Sequence, residues 1–281
     1  MTTQDPILVL GANGKTGRRV AEGLRARGLA VREGSRSGTP PFDWEDRSTW
    51  EPAVRGTSAA YVSFFPDLAV PGSTDAIATL AGLAVEHGLQ RVVLLSGRGE
   101  EEAQAAERAL QESGVAWTVV RCSWFMQNFS EGAFRDGLLE GELALPAGEV
   151  LVPFVDVDDI AEVAVAALTE GGHAGRVYEL TGPRALTFAE AVAEIGRAAG
   201  RELRYVPIAM EDFVAGATAQ GEPAEVVSLL RYLFTEVLVE SNAGVAGGVR
   251  QALGREPRDL AEYARDAAAS GAWTQPAFTQ R

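Results

Sequence analysis

Residues 7–17 read ILVLGANGKTG, and this stretch decides the fold of the 281-residue chain. Its four leading apolar residues predict a strand that is buried on both faces, as in a parallel sheet. Beyond the glycines, Val20, Ala21 and Leu24 recur at helical spacing. A strand, a glycine turn and a helix in this order form the context in which three spaced glycines bind a dinucleotide.

Each glycine of the turn has its own expected role. Gly11 permits the tight turn, Gly14 lets the backbone approach a pyrophosphate, and Gly17 lets the helix pack closely on its strand. The helix N-terminus then presents free N–H groups and a partial positive charge to the phosphates. Further residues of the turn expected at the cofactor are Asn13, Lys15 and Thr16. A triphosphate-binding P-loop needs a glycine where this chain has Val9, so we exclude that alternative.

The segment after the expected second strand, residues 30–34, indicates which dinucleotide binds. Proteins of this type that use NAD place an acid there to hold the ribose hydroxyls, whereas those that use NADP place an arginine nearby. Here Arg36 follows the strand, with Ser35 as an extra donor. The alternative is a solvated loop arginine, but its distance from the glycine turn favours binding of a 2′-phosphate. We therefore expect NADPH as the cofactor.

Strands and helices alternate through the first half of the chain, which predicts an α/β fold with a doubly wound parallel (Rossmann) sheet. Further strands are expected at 59–65, 91–96, 117–121 and 177–180, with 42–44 as a short strand or a loop. We expect residues 1–123 to form an NADP-binding Rossmann domain that is joined again by about 150–182. Residues 124–149 and 183–281 are then a small, mostly helical substrate-binding region.

Ligands of such sheets lie beyond the carboxyl ends of the strands. Residues at these ends that we expect at the cofactor are Phe64, Phe65, Ser96 and Gly97. Ser96 and Ser123 end neighbouring strands and are the candidate catalytic residues. Neither has an adjacent lysine or histidine to tune its hydroxyl, so each is expected to act as a hydrogen-bond donor to substrate.

An irregular aromatic segment follows Ser123. Its position just after a strand end predicts a substrate wall beside the nicotinamide, and the alternative is core packing. Expected substrate-binding residues are Trp124, Phe125, Met126, Asn128, Phe129 and Phe154.

Composition excludes several classes of function. The formal net charge of −14 argues against nucleic acid or an anionic membrane surface as a partner. A single cysteine, Cys122, and two histidines give no expected metal site. The N-terminal segment resembles neither a signal peptide nor a membrane span. We expect a cytoplasmic monomer or homodimer that binds a small-molecule substrate.

Several segments together resemble the NmrA-like branch of atypical short-chain dehydrogenases/reductases, and the resemblance covers nearly the whole chain. The similarity is strongest to the subgroup of fungal agroclavine/festuclavine dehydrogenases and actinobacterial ketoreductases of secondary metabolism, including antibiotic biosynthesis. The matching segments are residues 11–17, 42–44, 92–96, 113–121, 123–130, 153–161 and 254–258. Asp43 and Trp44, in one of these segments, are accordingly expected at the cofactor.

The resemblance implies a Rossmann domain, NADPH, and reduction of C=O, C=N or C=C bonds in bulky small molecules. Some members of the branch bind NADP without turning it over and act as redox sensors. Many short-chain reductases use a Tyr-x-x-x-Lys pair, which this chain cannot form because Lys15 is its only lysine. We expect an NADPH-dependent ketoreductase of an aromatic or polycyclic natural-product-like substrate. Imine, iminium or C=C reduction and a non-catalytic sensor remain the alternatives.

Overall fold

The computed structural model describes residues 5–274. Its strands are β1 (Ile7–Leu10), β2 (Val31–Gly34), β3 (Ala59–Val62), β4 (Arg91–Gly97), β5 (Trp117–Cys122), β6 (Glu142–Leu145), β7 (Arg176–Leu180) and β8 (Arg204–Pro207). Its α-helices are α1 (Lys15–Ala26), α2 (Trp50–Val54), α3 (Ser73–Glu86), α4 (Glu101–Gln111), α5 (Ala133–Glu140), α6 (Val157–Thr169), α7 (Phe188–Ala199), α8 (Met210–Ala219), α9 (Ala224–Tyr232), α10 (Gly248–Leu253) and α11 (Leu260–Ala269). The last part of the predicted substrate-binding region, residues 275–281, lies outside the described residues.

Six strands form one parallel sheet in the order β2-β1-β3-β4-β5-β7. The winding reverses at β1, which pairs with β2 on one side and with β3 on the other. Because all six strands run in the same direction, their carboxyl ends meet at one edge of the sheet. The predicted doubly wound Rossmann sheet is therefore confirmed, and its ligand-binding edge is defined.

Both faces of the sheet are covered, as the apolar strands require. Every residue of β1 and of β3 is buried. One face packs Leu8, Leu10 and Leu94 against α2, α3 and α4, while α1 and α6 pack together on the other. This burial from both sides explains why β1 carries four apolar residues in succession.

Residues 42–44 do not form a strand. The backbone groups of Asp43 bond locally instead: its N–H donates to Thr49 Oγ1 at 3.0 Å, and its carbonyl accepts the Trp50 indole N–H at 2.6 Å. The strand expected at 59–65 also ends earlier, at Val62, whose partner Leu94 closes the pairing with β4.

The chain divides into two compact units, and the first is built from three segments. These are the residues up to Cys122, then Val157–Leu180, then Ala246–Glu256. The last segment was expected in the substrate-binding region, and in the structure it lies in the first unit. It contains α10, which packs on β7 and α6. Gly248 allows this approach, because a Cβ there would stand 2.2 Å from the Glu179 carbonyl oxygen.

The second unit comprises Ser123–Asp156, Thr181–Val245 and the residues from Pro257 onward. Its only strands within residues 5–274 are β6 and β8, which pair in parallel, so this unit is mostly helical as expected. A capping box of Thr187 and Glu190 opens α7. Arg184 then joins the start of α11 to α7 by binding both Asp259 and Glu194.

Candidate active site

The glycine turn between β1 and α1 is fixed by its backbone geometry. Gly11 has a φ of +75°, which residues with a side chain rarely adopt, and its carbonyl oxygen accepts the Gly14 N–H at 2.9 Å. A Cβ atom on Gly17 would stand 2.1 Å from the same carbonyl oxygen. Any side chain at position 17 would therefore push α1 away from the turn.

The first turn of α1 is suited to an anion. Gly14 precedes the helix and offers no side chain to cap it, and the first turn contains no acidic residue. Backbone N–H groups at such a terminus, together with the helix dipole, favour phosphate. Asn13 and Gly14 are exposed, Lys15 is half-buried and Thr16 is buried. A glycine cradle that a Cβ would fill, open at a helix N-terminus, fits the pyrophosphate of a dinucleotide.

Arg36 lies two residues beyond the end of β2, at the same edge of the sheet. Its side chain is exposed and makes no hydrogen bond or ion pair with any residue between 5 and 274. The nearest acid of the strand, Glu33, is already paired with Arg25 at 2.6 Å. This edge therefore offers a cation and no unpaired strand acid, which is the pattern that accommodates a 2′-phosphate.

An aromatic cluster stands beside the end of β3. The ring centroids of Trp44 and Phe64 are 4.7 Å apart, and Trp44 also meets Trp50 edge-on at 5.5 Å. The local bonds of Asp43 described above hold this loop in place. Phe65 follows with 76% of its surface exposed. Flat half-buried rings at the ligand edge of the sheet are suited to a nucleotide base.

Ser96 is directed to an internal acceptor. Its hydroxyl donates to Glu107 of α4, with 2.5 Å between the two oxygens. Glu107 is buried and also binds Arg121, which in turn reaches Glu179 at 3.0 Å. These hydrogen bonds raise the pKa of Arg121 above its usual value. A hydroxyl has one hydrogen to donate, so in this arrangement Ser96 has none left for a substrate.

A second acidic group lies at the end of β4, and sequence reasoning missed it. The side chain of Glu100 folds back over Gly97, where a Cβ would stand 1.9 Å from its Oε1 atom. Its carboxyl group is hydrogen-bonded to Asp67, from the loop after β3. Burial, reinforced by the Asp67 charge, raises the pKa of Glu100 to about 9. Glu100 is therefore protonated at neutral pH.

The sequence carries little signal for this pair. Glu100 begins a run of three glutamates, and nothing in the run distinguishes it from Glu101 and Glu102, which are exposed. Only its position, three residues after a strand-ending glycine, hints that its side chain turns back toward the sheet. Asp67 lies 33 positions earlier and meets it only through the pairing of β3 with β4.

The six expected substrate-binding residues divide into two groups. Met126, Phe129 and Phe154 are buried in the core of the second unit, where the ring of Phe129 lies 5.3 Å from that of Phe154. Trp124, Phe125 and Asn128 are half-buried. Core packing thus accounts for the first group, and only the second group presents surface to a ligand. Ser123 is also buried, directly after β5.

No group of three potential metal ligands occurs within residues 5–274. Over the same part of the chain, the helices are too short or too polar to cross a membrane.

The glycine cradle and the parallel sheet define a dinucleotide-binding Rossmann protein. Residues 11–171 match a protein family described as NAD(P)H-binding. This match covers more than half of the chain, and the chain belongs to that family.

Proteins with a similar sequence or fold align with this chain over nearly its full length. The NAD(P)H azoreductase of Xenophilus azovorans is 34% identical over 90% of this chain and 87% of its own. Agroclavine dehydrogenase of Claviceps fusiformis is 29% identical over 92% of this chain and 96% of its own, which confirms the resemblance to that subgroup. A crystal structure of Citrobacter sp. triphenylmethane reductase with NADP(H) has the same fold, with a TM-score of 0.75 at 19% identity over 93% of this chain and 99% of that one. The protein is an NAD(P)H-dependent oxidoreductase.

Proposed function

We propose that this protein is an NADPH-dependent reductase of a bulky aromatic or polycyclic small molecule, with a ketone as the first candidate for the reduced group. The observation that carries the choice of cofactor is Arg36, an exposed cation without a partner among the described residues, beside the glycine cradle. The choice of substrate class is supported by the names of two relatives, which refer to agroclavine and to triphenylmethane compounds.

The residues that would hold the cofactor all belong to the first unit. The turn from Gly11 to Gly17 would bind the pyrophosphate, Arg36 and Ser35 would bind the 2′-phosphate, and the packed pair of Trp44 and Phe64 would present one aromatic surface to the base. When bound, NADPH supplies a hydride. The acid Glu33 forms an exposed ion pair with Arg25, whereas Arg36 is an exposed cation just beyond the end of β2, which favours NADPH over NADH.

The second unit would bind the substrate. Trp124 and Phe125 offer half-buried aromatic surface, and Asn128 adds an amide that can donate or accept a hydrogen bond. Substrate sites combine mostly apolar walls with a few polar groups in this way. Met126, Phe129 and Phe154 support this surface from the core.

Activity with a panel of substrates tests the proposal. Purified protein is titrated with NADPH and with NADH, and NADPH oxidation is then followed with bulky aromatic ketones, cyclic imines, azo compounds and conjugated alkenes. We expect tighter binding of NADPH and turnover with at least one class, the ketones first. Turnover confined to imines or alkenes would replace the ketone with the corresponding alternative. Binding without oxidation across the whole panel would overturn the reductase and favour a redox sensor.

A further inference from the structure

A carbonyl reductase needs a proton as well as a hydride, and this chain lacks the usual donor. Its single lysine lies in the glycine turn. Two tyrosines of the sheet are poor substitutes: the hydroxyl of Tyr178 is bound to His173 at 2.9 Å, and burial raises the pKa of Tyr61 well above its usual value. Ser96 donates to Glu107. These groups are therefore poorly placed to donate the proton.

Glu100 and Asp67 meet at the ligand edge of the sheet. Asp67 follows β3 and Glu100 follows β4, and these are neighbouring parallel strands. The Glu100 carboxyl covers Gly97, the last residue of β4. It does not cap α4, which begins at the next residue without a side-chain cap. The side chain is thus turned toward the strand ends and away from the helix that it precedes.

The two carboxyl groups are placed to share one proton, since burial raises the pKa of both. Glu100 is buried and Asp67 is half-buried. The groups that act on the charge of Glu100 are all acidic, namely Asp67, Glu102 and Glu107, and Glu100 in turn faces the buried thiol of Cys122. With no cation among these neighbours, two ionised carboxylates would repel each other at close range. The Oε2 atom of Glu100 has no solvent-accessible surface and no hydrogen-bond partner within the described chain. Its hydrogen-bonding capacity is therefore unused in this structure, and a substrate oxygen would bind it by displacing the atoms that cover it.

We propose that Glu100 is the general acid of the reduction and that Asp67 returns protons to it from solvent. This proposal rests on the reductase function proposed above. As the hydride adds to the carbonyl carbon, Glu100 turns its single O–H group from Asp67 to the substrate oxygen; that O–H bond breaks and an O–H bond forms on the alcohol product. The deprotonated pair then takes one proton from water through Asp67, which is the solvent-accessible member.

Three variants test this assignment: Glu100→Gln, Asp67→Asn, and Glu101→Gln as the matched control. Glu101 is the exposed neighbour of Glu100 on α4. Glutamine keeps the shape of glutamic acid and can still donate to Asp67, so we expect Glu100→Gln to fold and to bind NADPH with an unchanged Kd. We expect its kcat to fall about 10²- to 10⁴-fold, the usual contribution of a placed general acid, and the control to retain wild-type kcat. Asp67→Asn is expected to lose part of kcat and to show an altered solvent isotope effect.

Infrared spectroscopy supplies a readout that does not depend on turnover. At neutral pH, wild type and Glu101→Gln should show a carboxylic-acid C=O band, sensitive to D2O, that is absent from Glu100→Gln. Absence of this band from the wild type would overturn the proposal, as would wild-type kcat in Glu100→Gln. If Glu100→Gln does not fold, retention of full kcat and of an unchanged isotope effect by Asp67→Asn would also overturn it. If the wild-type protein shows the band but oxidises no NADPH, the proposed function is overturned, and the role of Glu100 as an acid is overturned with it. The presence of the band would still establish the protonated carboxyl group.

Discussion

The hydroxyl of Ser96 and the carboxylate of Glu107 share a hydrogen bond of 2.5 Å beneath α4. We therefore expect Ser96→Ala to act mainly on stability. A hydrogen bond to a charged group contributes about 1.5–3 kcal/mol, and Glu107 keeps Arg121 as a partner after the change. The free energy of unfolding should decrease by an amount within this range. The kcat should change by less than about tenfold, which is below the effect of a lost general acid.

Ser123→Ala is the comparison for this variant, because Ser123 directly follows the neighbouring strand β5 and is also buried. Denaturant unfolding and steady-state kinetics on both variants show whether each hydroxyl acts on stability or on kcat. A loss of kcat in Ser96→Ala without any loss of stability would restore Ser96 as a substrate donor.

Gly17→Ala should abolish tight cofactor binding. The new Cβ would stand 2.1 Å from the Gly11 carbonyl oxygen, so either the turn or α1 must shift. Gly82→Ala, also within a helix, meets nothing within 4 Å and should stabilise the protein by about 0.5–1 kcal/mol. Calorimetric titration with NADPH and thermal unfolding compare the two. Wild-type affinity in Gly17→Ala would contradict the assigned close contact.

Arg36→Ala should weaken NADPH binding and leave NADH binding nearly unchanged. A charge-assisted hydrogen bond of about 1.5–3 kcal/mol corresponds to about 10- to 150-fold in affinity. If Lys15 shares the 2′-phosphate with Arg36, the Arg36→Ala variant will retain part of its preference for NADPH over NADH. Arg55→Ala controls for net charge, since Arg55 precedes β3 at the opposite edge of the sheet. Equal affinities of the wild type for both cofactors would rule out the assignment.

Phe125→Ala and Phe129→Ala separate substrate contact from core packing. Phe129 is fully buried, and its truncation should cost about 3–5 kcal/mol of unfolding free energy. Phe125 is half-buried, so its truncation should cost less and raise the KM for substrate more than the Kd for NADPH. Melting curves and kinetics on the pair measure both effects. An unchanged KM in Phe125→Ala would remove this residue from the substrate site.

The protonated state of Glu100 should make stability depend on pH. Its pKa in the folded protein is about 9, against about 4.3 in an unfolded chain. Between these values the unfolded state releases the proton and the folded state keeps it, so this group's contribution to stability is full below the lower value and declines as pH rises toward 9. Glu100→Gln should remove this decline. Urea unfolding of the wild type and of Glu100→Gln from pH 5 to 9 measures how the stability of each protein depends on pH. If the two plots of unfolding free energy against pH are parallel, the raised pKa of Glu100 is contradicted.

The parts of the fold that follow from local chemistry were predictable. The turn from Gly11 to Gly17 is one example, because its apolar strand, its glycines and the apolar face of its helix are contiguous in sequence. Long-range partners were not predictable. Nothing in the local sequence around Ser96 shows that Glu107 will receive its hydroxyl, or that Gly248 will let α10 return to β7.

The candidate site shows the same contrast between features fixed by the local sequence and features fixed by long-range partners. The side chains of the aromatic segment alternate between core and surface, and one sequence does not tell which are which. Met126 and Phe129 are buried in the core, whereas Trp124 packs against the core with part of its ring still exposed and Phe125 is half-buried. The Asp67–Glu100 pair depends on the pairing of two strands and on burial of an acid, neither of which has a local signature.

The division of the first unit into three segments bears on how the protein is made. Its sheet lacks β7 until residue 180 has been synthesised, and α10 is complete only at residue 253. On the ribosome, the cofactor-binding unit therefore cannot finish folding before most of the second unit has emerged. For the same reason, no single cut in the chain releases either unit intact. Studies of an isolated cofactor-binding unit would need a circularly permuted or spliced gene rather than a truncation.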